Sequence, residues 1–259
     1  MAILTKPVVI HETDLSITHV FSLVPILESH PQVLADVLAT AISLGATPDR
    51  ICILQPARGP GYPGFKQIKE ARFGMKTVTD RLQADGSIVT TPGDALVLTT
   101  RDCAGLVLEN RSTGAIGLGH CGREAMRPPA TSHDLAQLAM SLVQAIEPAR
   151  KRGHVQAFVS NSICPDCFLH DLPYGQKLIE DFVAIFGDEI FVGDAAAGKL
   201  HMLKMIKWLL NGRGIPAQNI SINTDCPCCN PGRSSYRGGD TDHDEVSIVI
   251  KKHTPILQE

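Results

Sequence analysis

Residues 99–122 read TTRDCAGLVLENRSTGAIGLGHCG, and this pattern predicts a β-hairpin. An apolar run over 104–109 leads into a polar cluster that ends at Gly114, and a second apolar run follows over 115–118. This order is typical of two antiparallel strands joined by a loop of about four or five residues. Because paired residues of a hairpin lie at equal distances from its centre, Cys103 and His120 are expected to face each other within about one residue of register. The hairpin therefore predicts a site in which a thiol meets an imidazole.

The simplest interpretation of this pair is structural, because cysteine is often a small buried hydrophobic residue and a core histidine is often only hydrogen-bonded. Two chemistries are open beside it. Cys103 and His120 can be two ligands of a catalytic zinc that keeps an open position for water or phosphate. Alternatively, Cys103 can be a nucleophile whose thiolate is favoured by His120, with Asp102 or another acid nearby.

The composition is that of an ordinary globular protein. The chain has 259 residues, 44% of them hydrophobic and 20% charged, with a formal net charge of -3. We expect one domain over residues 1–259, and the absence of a basic excess argues against a nucleic-acid partner. The first twenty residues lack the basic region of a signal peptide, and no apolar run is long enough to cross a membrane. A cytoplasmic protein without a membrane partner is the expectation.

The pattern of elements predicts a mixed-sheet α/β or α+β fold rather than a doubly wound sheet, because strands and helices alternate without a regular rhythm. Strands are predicted at 7–10, 17–24, 51–54, 87–90, 95–100, 155–160, 220–222 and 246–250. Helices are predicted at 31–44, at 176–186, at 199–210, and from an N-cap at Ser132 to Ile146.

Two C-x-x-C pairs, Cys164 with Cys167 and Cys226 with Cys229, are each predicted to lie in a loop after a strand. In a reducing compartment such pairs are more often metal ligands than disulfides. Four thiolates suit tetrahedral zinc, so these residues are the predicted ligands of a structural zinc ion. Unpaired thiols, disulfides and redox activity are the alternatives, and Cys228 can replace either of its neighbours as a ligand.

Three stretches resemble a known family. Residues 92–103, PGDALVLTTRDC, are similar to its "PG-ALAVLTADC" run, and residues 120–123, HCGR, resemble the start of its "HAGWRG" run. The cysteines and the following RSSYR of residues 226–237 resemble its C-terminal "C…C-P-RFFSYRR" run. From about residue 34 to residue 250, the order of motifs is that of the YfiH (peptidoglycan editing factor, PgeF) family, also called the polyphenol oxidoreductase or laccase-domain family.

The resemblance implies a single mixed α/β domain and a zinc-dependent enzyme that phosphorolyses or deaminates purine nucleosides. The family's metal site uses one cysteine and two histidines, and Cys103 and His120 match the cysteine and one histidine. The family's other histidine lies in a "Q-V-H-G" run, whereas residues 55–59 here read QPARG. With a nucleoside and phosphate as substrates, Arg58, Tyr236 and Arg237 are candidate contacts, since arginine suits phosphate.

Two further functions stay open. The fold class is shared with the catalytic domain of cytotoxic necrotizing factor-type toxins, deamidases that use a Cys–His pair, which implies a metal-free hydrolase or deamidase as an alternative. The other alternative is a non-enzymatic relative that is stabilised by the four-cysteine zinc site. The natural substrate, the oligomeric state, and a replacement of the missing histidine by Cys121 or His243 are left open.

Overall fold

Two six-stranded sheets and five α-helices make up the described part of a computed structural model of the chain. The described residues are 8–12, 17–25, 31–56, 66–74, 77–127, 138–148, 152–168, 175–195, 198–230, 233, 235–240 and 242–252. The helices are α1 (Pro31–Ser43), α2 (Arg123–Met126), α3 (Leu138–Ile146), α4 (Gly175–Phe186) and α5 (Met202–Gly212).

Both sheets mix parallel and antiparallel neighbours. Sheet A has the order β1 (Val8–Glu12), β2 (Ile17–Pro25), β12 (His243–Lys251), β7 (Ala95–Thr100), β3 (Ile51–Gln55) and β5 (Leu82–Gln83). Sheet B has the order β11 (Ile220–Ile222), β10 (Val155–Val159), β8 (Ala104–Asn110), β9 (Ala115–Cys121), β6 (Gly86–Val89) and β4 (Ile68–Glu70). The predicted mixed α/β fold class is confirmed, while the single domain over residues 1–259 stays a prediction.

The layers are α1, sheet A, sheet B, and then the helices α3 to α5. Alternation along β7 places Val97 against α1 and Leu98 against sheet B, because successive side chains of a strand point to opposite faces. Along β8, Val107 faces sheet A, and Leu106 faces the helices. Both faces of the central strands are buried, which explains their nearly continuous apolar sequences.

The β8–β9 hairpin is confirmed, with a four-residue turn over 111–114. The Asn110 side chain accepts hydrogen bonds from the backbone and hydroxyl of Ser112 at 3.0 and 2.8 Å, and Gly114 supplies the positive φ of 67° that ends the turn. The predicted register is wrong by two residues, since His120 pairs with Gly105 and Cys103 lies just before the first paired residue. Because side chains repeat every two residues along a strand, this shift keeps position 103 and His120 on the same face.

Helix α1 agrees with its prediction, with Pro31 in the first turn and Gly45 just beyond its end at a φ of 107°. Helix α5 begins later than predicted, at Met202, because the His201 side chain accepts a hydrogen bond from the backbone N–H of Lys204 and caps the helix. The predicted N-cap at Ser132 lies outside the described residues. Among the described helices, none combines the length and the apolar character that crossing a membrane requires.

Candidate functional site

A cavity of about 660 Å³ opens where the space between the two sheets ends. The ends of β3, β7 and β9 meet at this edge, together with the turn at 101–103 and the loop at 235–237. Both residues of the predicted site line the cavity, Cys103 from the turn and His120 from the end of β9.

The Cys103 thiol and the His120 imidazole are in direct contact, and the two side chains hydrogen-bond each other. Gly122 makes this contact possible. A Cβ atom at position 122 would lie 2.7 Å from Nε2 of His120 and 3.4 Å from Sγ of Cys103, so any side chain there would press against both groups. The sequence therefore brings a thiol and an imidazole together across the open end of the hairpin.

A buried carboxylate holds the other side of the imidazole. The Asp85 side chain is 0% exposed, and its Oδ1 atom lies 3.1 Å from Nδ1 of His120. Antiparallel pairing of β6 with β9 places it there, because Gly86 pairs with Gly119 and the backbone N–H of His120 donates to the carbonyl of Asp85 at 2.7 Å. Asp85, His120 and Cys103 thus form a continuous chain of carboxylate, imidazole and thiol.

The second oxygen of Asp85 is also held in place. Oδ2 accepts a hydrogen bond of 2.6 Å from the backbone N–H of Lys66, a residue with a positive φ of 55°. A non-glycine residue in this conformation is uncommon and costs free energy, so the surrounding structure must enforce it. The carboxylate is therefore oriented by the backbone from one side and by His120 from the other.

These contacts determine the protonation of His120. Burial disfavours the charged imidazolium, but the hydrogen bonds and charges of Asp85 and Cys103 outweigh it and raise the pKa of His120 to about 10. The imidazole therefore carries its proton at neutral pH, between a carboxylate and a sulfur atom.

Asp102, named from the sequence as a possible acid for this pair, has a different environment. Its Oδ1 accepts a hydrogen bond from the Ser235 hydroxyl, and its Oδ2 accepts one of 3.1 Å from the backbone N–H of Arg237. Of the two options that the sequence left open, Asp102 or another acid, the structure therefore shows the second, because Asp85 contacts His120.

The described residues at this site do not make up a catalytic zinc site. Such sites use three protein ligands, and within the described ranges no group of three metal-binding side chains includes Cys103 and His120. Cys121 does not join them, because it is fully buried on the helix side of sheet B, and His243 hydrogen-bonds Asp240 at 3.3 Å instead. Arg58, in the run that corresponds to the family's second histidine, lies outside the described residues.

Two of the three predicted substrate contacts line the cavity. Tyr236 is 63% exposed, and its ring centroid lies 5.9 Å from the guanidinium carbon of Arg101. Arg237 lies over the Phe168 ring at 5.4 Å. Arg101 pairs with Asp244 at 2.8 Å and Arg123 pairs with Glu124 at 3.2 Å, so the wall combines planar rings with charge-paired guanidinium groups.

The four predicted cysteines meet at a second site. Parallel pairing of β10 with β11 matches Ala157 with Ile220, so the loops that follow the two strands leave sheet B at the same edge. The ligand atoms of these residues all lie within 4.8 Å of one another: Cys164, Cys167, Cys226 and Cys229. We call them the four-cysteine cluster.

Its geometry suits a tetrahedral metal ion. Sγ of Cys229 lies 3.7 Å from Sγ of Cys164 and 3.4 Å from Sγ of Cys167, close to the ~3.8 Å edge of a tetrahedron with Zn–S bonds of about 2.3 Å. The backbone N–H of Cys164 donates to Sγ of Cys226 at 3.2 Å, a contact typical of thiolate ligands. All eight cysteines of the chain are free thiols, and Cys228 contacts Cys167 from outside the cluster.

The thiols of the cluster do not ionise equally. Burial disfavours the Cys164 thiolate, but hydrogen bonds from the backbone of Cys167 and from the neighbouring thiols outweigh it and lower the pKa of Cys164. Burial and the neighbouring thiols raise the pKa of Cys167. The hydrogen bond from Cys167 lowers the pKa of Cys229, but contacts with Cys226 and Cys164 outweigh it and raise the value to about 11. A metal cation at the centre would reverse this repulsion, because it stabilises all four thiolates at once.

The sequence analysis did not identify two residues of the first site. These are Asp85, which contacts His120, and Gly122, which leaves room for Cys103 and His120 to approach each other. Asp85 lies two residues before the strand predicted at 87–90, but nothing local indicates that this strand pairs with β9. Gly122 has a φ of -76° and a ψ of 159°, a backbone that any residue adopts. Its requirement for glycine comes from the side chains of Cys103 and His120, which only the folded protein places against it.

Comparison with known proteins agrees with this fold. Residues 44–245 match the family model described as multi-copper polyphenol oxidoreductase laccase. The hypothetical protein YfiH of Bacillus licheniformis is 15% identical with a TM-score of 0.71, over 91% of this chain and 93% of that chain. A Neisseria meningitidis protein of the DUF152 family is 15% identical with a TM-score of 0.71, over 96% of this chain and 100% of that chain.

YlmD from Geobacillus stearothermophilus is 13% identical with a TM-score of 0.65, over 94% of this chain and 98% of that chain. None of the curated proteins matches the sequence significantly. At these identities the similarity to solved structures shows the fold alone. The relation to the necrotizing-factor toxins stays a prediction. The family model spans well over half of the sequence, and the chain belongs to the YfiH (PgeF) family, whose model is described as multi-copper polyphenol oxidoreductase laccase.

Proposed function

We propose that the protein is a cysteine hydrolase or deamidase in which Cys103, His120 and Asp85 act as a catalytic triad. The observation that carries the proposal is the unbroken contact from the buried carboxylate of Asp85 through His120 to the thiol of Cys103. A nucleophile, a base within hydrogen-bonding reach and a third group that orients the base are the three parts that nucleophilic catalysis requires.

The reaction follows from the positions of these groups. The Cys103 thiolate attacks the carbonyl carbon of an amide, and the proton on His120 passes to the leaving amine as the C–N bond breaks. Water then adds to the resulting thioester, giving up a proton to His120, and the carboxylic acid leaves as the C–S bond breaks. Asp85 keeps Nδ1 of the imidazole occupied, so that only the Nε2 side exchanges protons with the reacting groups.

The cavity favours a small substrate with a planar or anionic part. Its volume of about 660 Å³ suits a small molecule. Tyr236 and Phe168 offer ring faces, and the guanidinium groups of Arg101 and Arg237 lie against them. Arginine in this setting binds carboxylate or phosphate with two parallel hydrogen bonds.

A zinc-dependent nucleoside phosphorylase or deaminase is the second candidate, and family membership favours it. Asp85 behind His120 is also the arrangement in which a carboxylate orients a metal-binding imidazole. In this case Cys103 and His120 hold the zinc, a third ligand comes from outside the described residues, and Arg58, Tyr236 and Arg237 contact nucleoside and phosphate. The metal would supply Lewis acidity or an activated water.

The four-cysteine cluster holds a structural zinc ion under either candidate. Its ligands are four thiols at tetrahedral distances with no remaining position for a substrate. Free thiols persist in a reducing compartment, so the proposal includes a cytoplasmic location. A non-enzymatic relative would keep this zinc while Cys103 showed only ordinary thiol reactivity.

Metal analysis of the wild type beside Cys103→Ser separates the candidates. For the triad, both proteins contain about one zinc per chain, and iodoacetamide alkylates Cys103 faster than a model thiol at neutral pH. For the nucleoside enzyme, the wild type contains about two zinc ions and Cys103→Ser loses one of them. Formation of free base or of a deaminated product from adenosine or inosine with phosphate would favour the second candidate. Ordinary thiol reactivity of Cys103 together with one zinc ion per chain would contradict both proposed enzyme activities.

A further inference from the structure

Asp102, the residue next to Cys103, is hydrogen-bonded to the segment that directly precedes Cys164 and to the segment 235–237, which lies beyond Cys229. Its backbone carbonyl accepts bonds from the backbone N–H of Ile163 at 2.9 Å and from the hydroxyl of Ser162 at 3.2 Å. Its carboxylate accepts bonds from the Ser235 hydroxyl and from the backbone N–H of Arg237.

These partners belong to the two segments that carry the cluster. Ser162 and Ile163 directly precede Cys164, and the segment 235–237 follows Cys229 along the chain. Asp102 therefore lies between residues that directly precede the first C-x-x-C pair and residues that follow the second pair along the chain. The turn that carries Cys103 is attached to both.

Three of the four residues that hold Asp102 are buried, and the fourth, Arg237, is exposed. Ser162, Ile163 and Ser235 are 1, 3 and 3% exposed. The hydroxyl of Ser235 accepts a bond of 2.9 Å from the backbone N–H of Gly238, so its own proton is directed to Asp102. Both carboxylate oxygens of Asp102 act as acceptors, which asparagine cannot reproduce since one of its two terminal atoms is a donor.

We propose that Asp102 is a positioning residue that couples the four-cysteine cluster to Cys103. The inference rests on the proposed function, because it takes Cys103 as the nucleophile and the cluster as a zinc site. With the metal bound, the two loops hold Asp102 from both sides and the turn keeps the thiol against His120. Without the metal, the loops separate and Cys103 moves away from the imidazole of His120.

The test is a short pulse of iodoacetamide on the full chain at neutral pH, with Cys103 alkylation followed on its own peptide and zinc measured in the same samples. In the wild type, removal of zinc by a chelator is expected to slow the alkylation of Cys103 by about fivefold. Zinc-loaded Asp102→Asn should already react about fivefold more slowly, and chelation should change its rate by less than about twofold. Its zinc content should equal that of the wild type.

Asp166→Asn is the matched control. Asp166 lies between the first two cysteines of the cluster, is exposed and pairs with Lys199 at 2.8 Å, so this variant should respond to chelation as the wild type does. A general loss of stability would expose Cys103 more often and accelerate its alkylation in Asp102→Asn, whereas loss of positioning slows it and removes the response to chelation, which distinguishes positioning from a merely structural role.

Several outcomes overturn the inference. If the four cysteines bind zinc and the chelator removes it, but the alkylation rate of Cys103 in the wild type is unchanged, the coupling is wrong while the zinc site stands. If chelation accelerates alkylation of Cys103, the thiol was itself a metal ligand, and the coupling is overturned in favour of the second candidate function. If the cluster binds no zinc, the structural zinc is refuted, and an unchanged Cys103 rate in Asp102→Asn then overturns the positioning role separately.

Discussion

The hairpin site and the four-cysteine cluster both depend on thiols, but the charges around those thiols differ. At the hairpin, Cys103 meets an imidazole that is supported by the buried carboxylate of Asp85. In the cluster, each thiol meets other thiols, with Sγ atoms as close as 3.4 Å between Cys167 and Cys229. The first site contains its own cation in His120, whereas the second has none among its ligands.

This difference determines what each site needs from outside. Asp85 and Cys103 outweigh the cost of burial and raise the pKa of His120 to about 10, so the chain itself supplies the proton and the positive charge. Neighbouring thiols raise the pKa of Cys229 to about 11, so the cluster cannot ionise fully until a metal cation arrives. A cysteine's role here follows from the charge of its nearest neighbour rather than from its exposure.

The largest effect is expected from a substitution that disrupts the four-cysteine cluster. Cys226→Ser should lose zinc and lower the free energy of unfolding by about 2 kcal/mol or more, because a metal that binds only the folded state stabilises it in proportion to its affinity. Zinc content and urea unfolding measure the two effects. Cys226 is 8% exposed and bonded to the backbone of Cys164, so serine also leaves this N–H with a poorer acceptor.

Cys228→Ser is the matched control for this experiment. Cys228 lies within the same loop but outside the group of four ligand atoms. It should keep its zinc and most of its stability. Equal zinc loss in both variants would show that the cluster uses Cys228 as a ligand, contrary to the geometry.

The next largest effect is expected from a substitution that disrupts the hairpin site and leaves the four-cysteine cluster intact. Gly122→Ala places a methyl group 2.5 Å from Cε1 of His120, so the ring must leave its present position beside the thiol. We expect alkylation of Cys103 at neutral pH to slow by about tenfold, because the contact with His120 is lost. Zinc content should not change.

Gly153→Ala controls for the substitution itself. A Cβ at Gly153 meets nothing within 4 Å, and the residue is exposed. Wild-type reactivity of Cys103 in Gly122→Ala would show that the close approach of thiol and imidazole is not needed.

The parts that could be predicted from the sequence are those that local chemistry determines. Apolar alternation and a polar turn that ends at Gly114 define the hairpin, and the C-x-x-C spacing defines each half of the cluster. The register was wrong by two residues because Cys103 precedes the first paired residue of β8, yet the shared face was right because the strand period is two.

The parts that could not be predicted depend on pairing between distant segments. Asp85 reaches His120 only because β6 pairs with β9, and the two halves of the cluster meet only because β10 pairs with β11. Such pairings carry no local sequence pattern. The sequence leaves the acid beside His120 open between Asp102 and another residue, and only the fold shows that it is Asp85, while the carboxylate of Asp102 is directed to Ser235.

A smaller effect tests the charge of the hairpin site through pH. Because the pKa of folded His120 lies above its unfolded value of about 6.5, the stability it contributes is fully present below about pH 6.5 and is lost as pH rises towards 10. The free energy of unfolding should fall by roughly 1 kcal/mol per pH unit between about pH 7 and pH 9. His120→Gln should remove this part of the slope in urea unfolding.

Other groups also titrate in this range, so the difference between variants is the quantity that matters. Exposed His154 provides the control, and His154→Gln should keep the wild-type slope. An identical pH dependence in wild type and His120→Gln would contradict the protonated imidazole on which the contrast between the two sites rests.

The smallest effect concerns phosphate, which should protect the hairpin thiol and not the cluster. If the guanidinium groups at the cavity bind phosphate, millimolar phosphate slows alkylation of Cys103 but not of Cys229. Arg237→Ala should weaken this protection by about threefold, since a single exposed charge contributes well under 1 kcal/mol, while its backbone N–H still holds Asp102. Arg111→Ala, in the turn at the opposite end of the hairpin, should leave the protection unchanged. If phosphate does not protect Cys103 at all, the cavity does not bind phosphate. The arginines of the cavity would then no longer support phosphorolysis as the reaction.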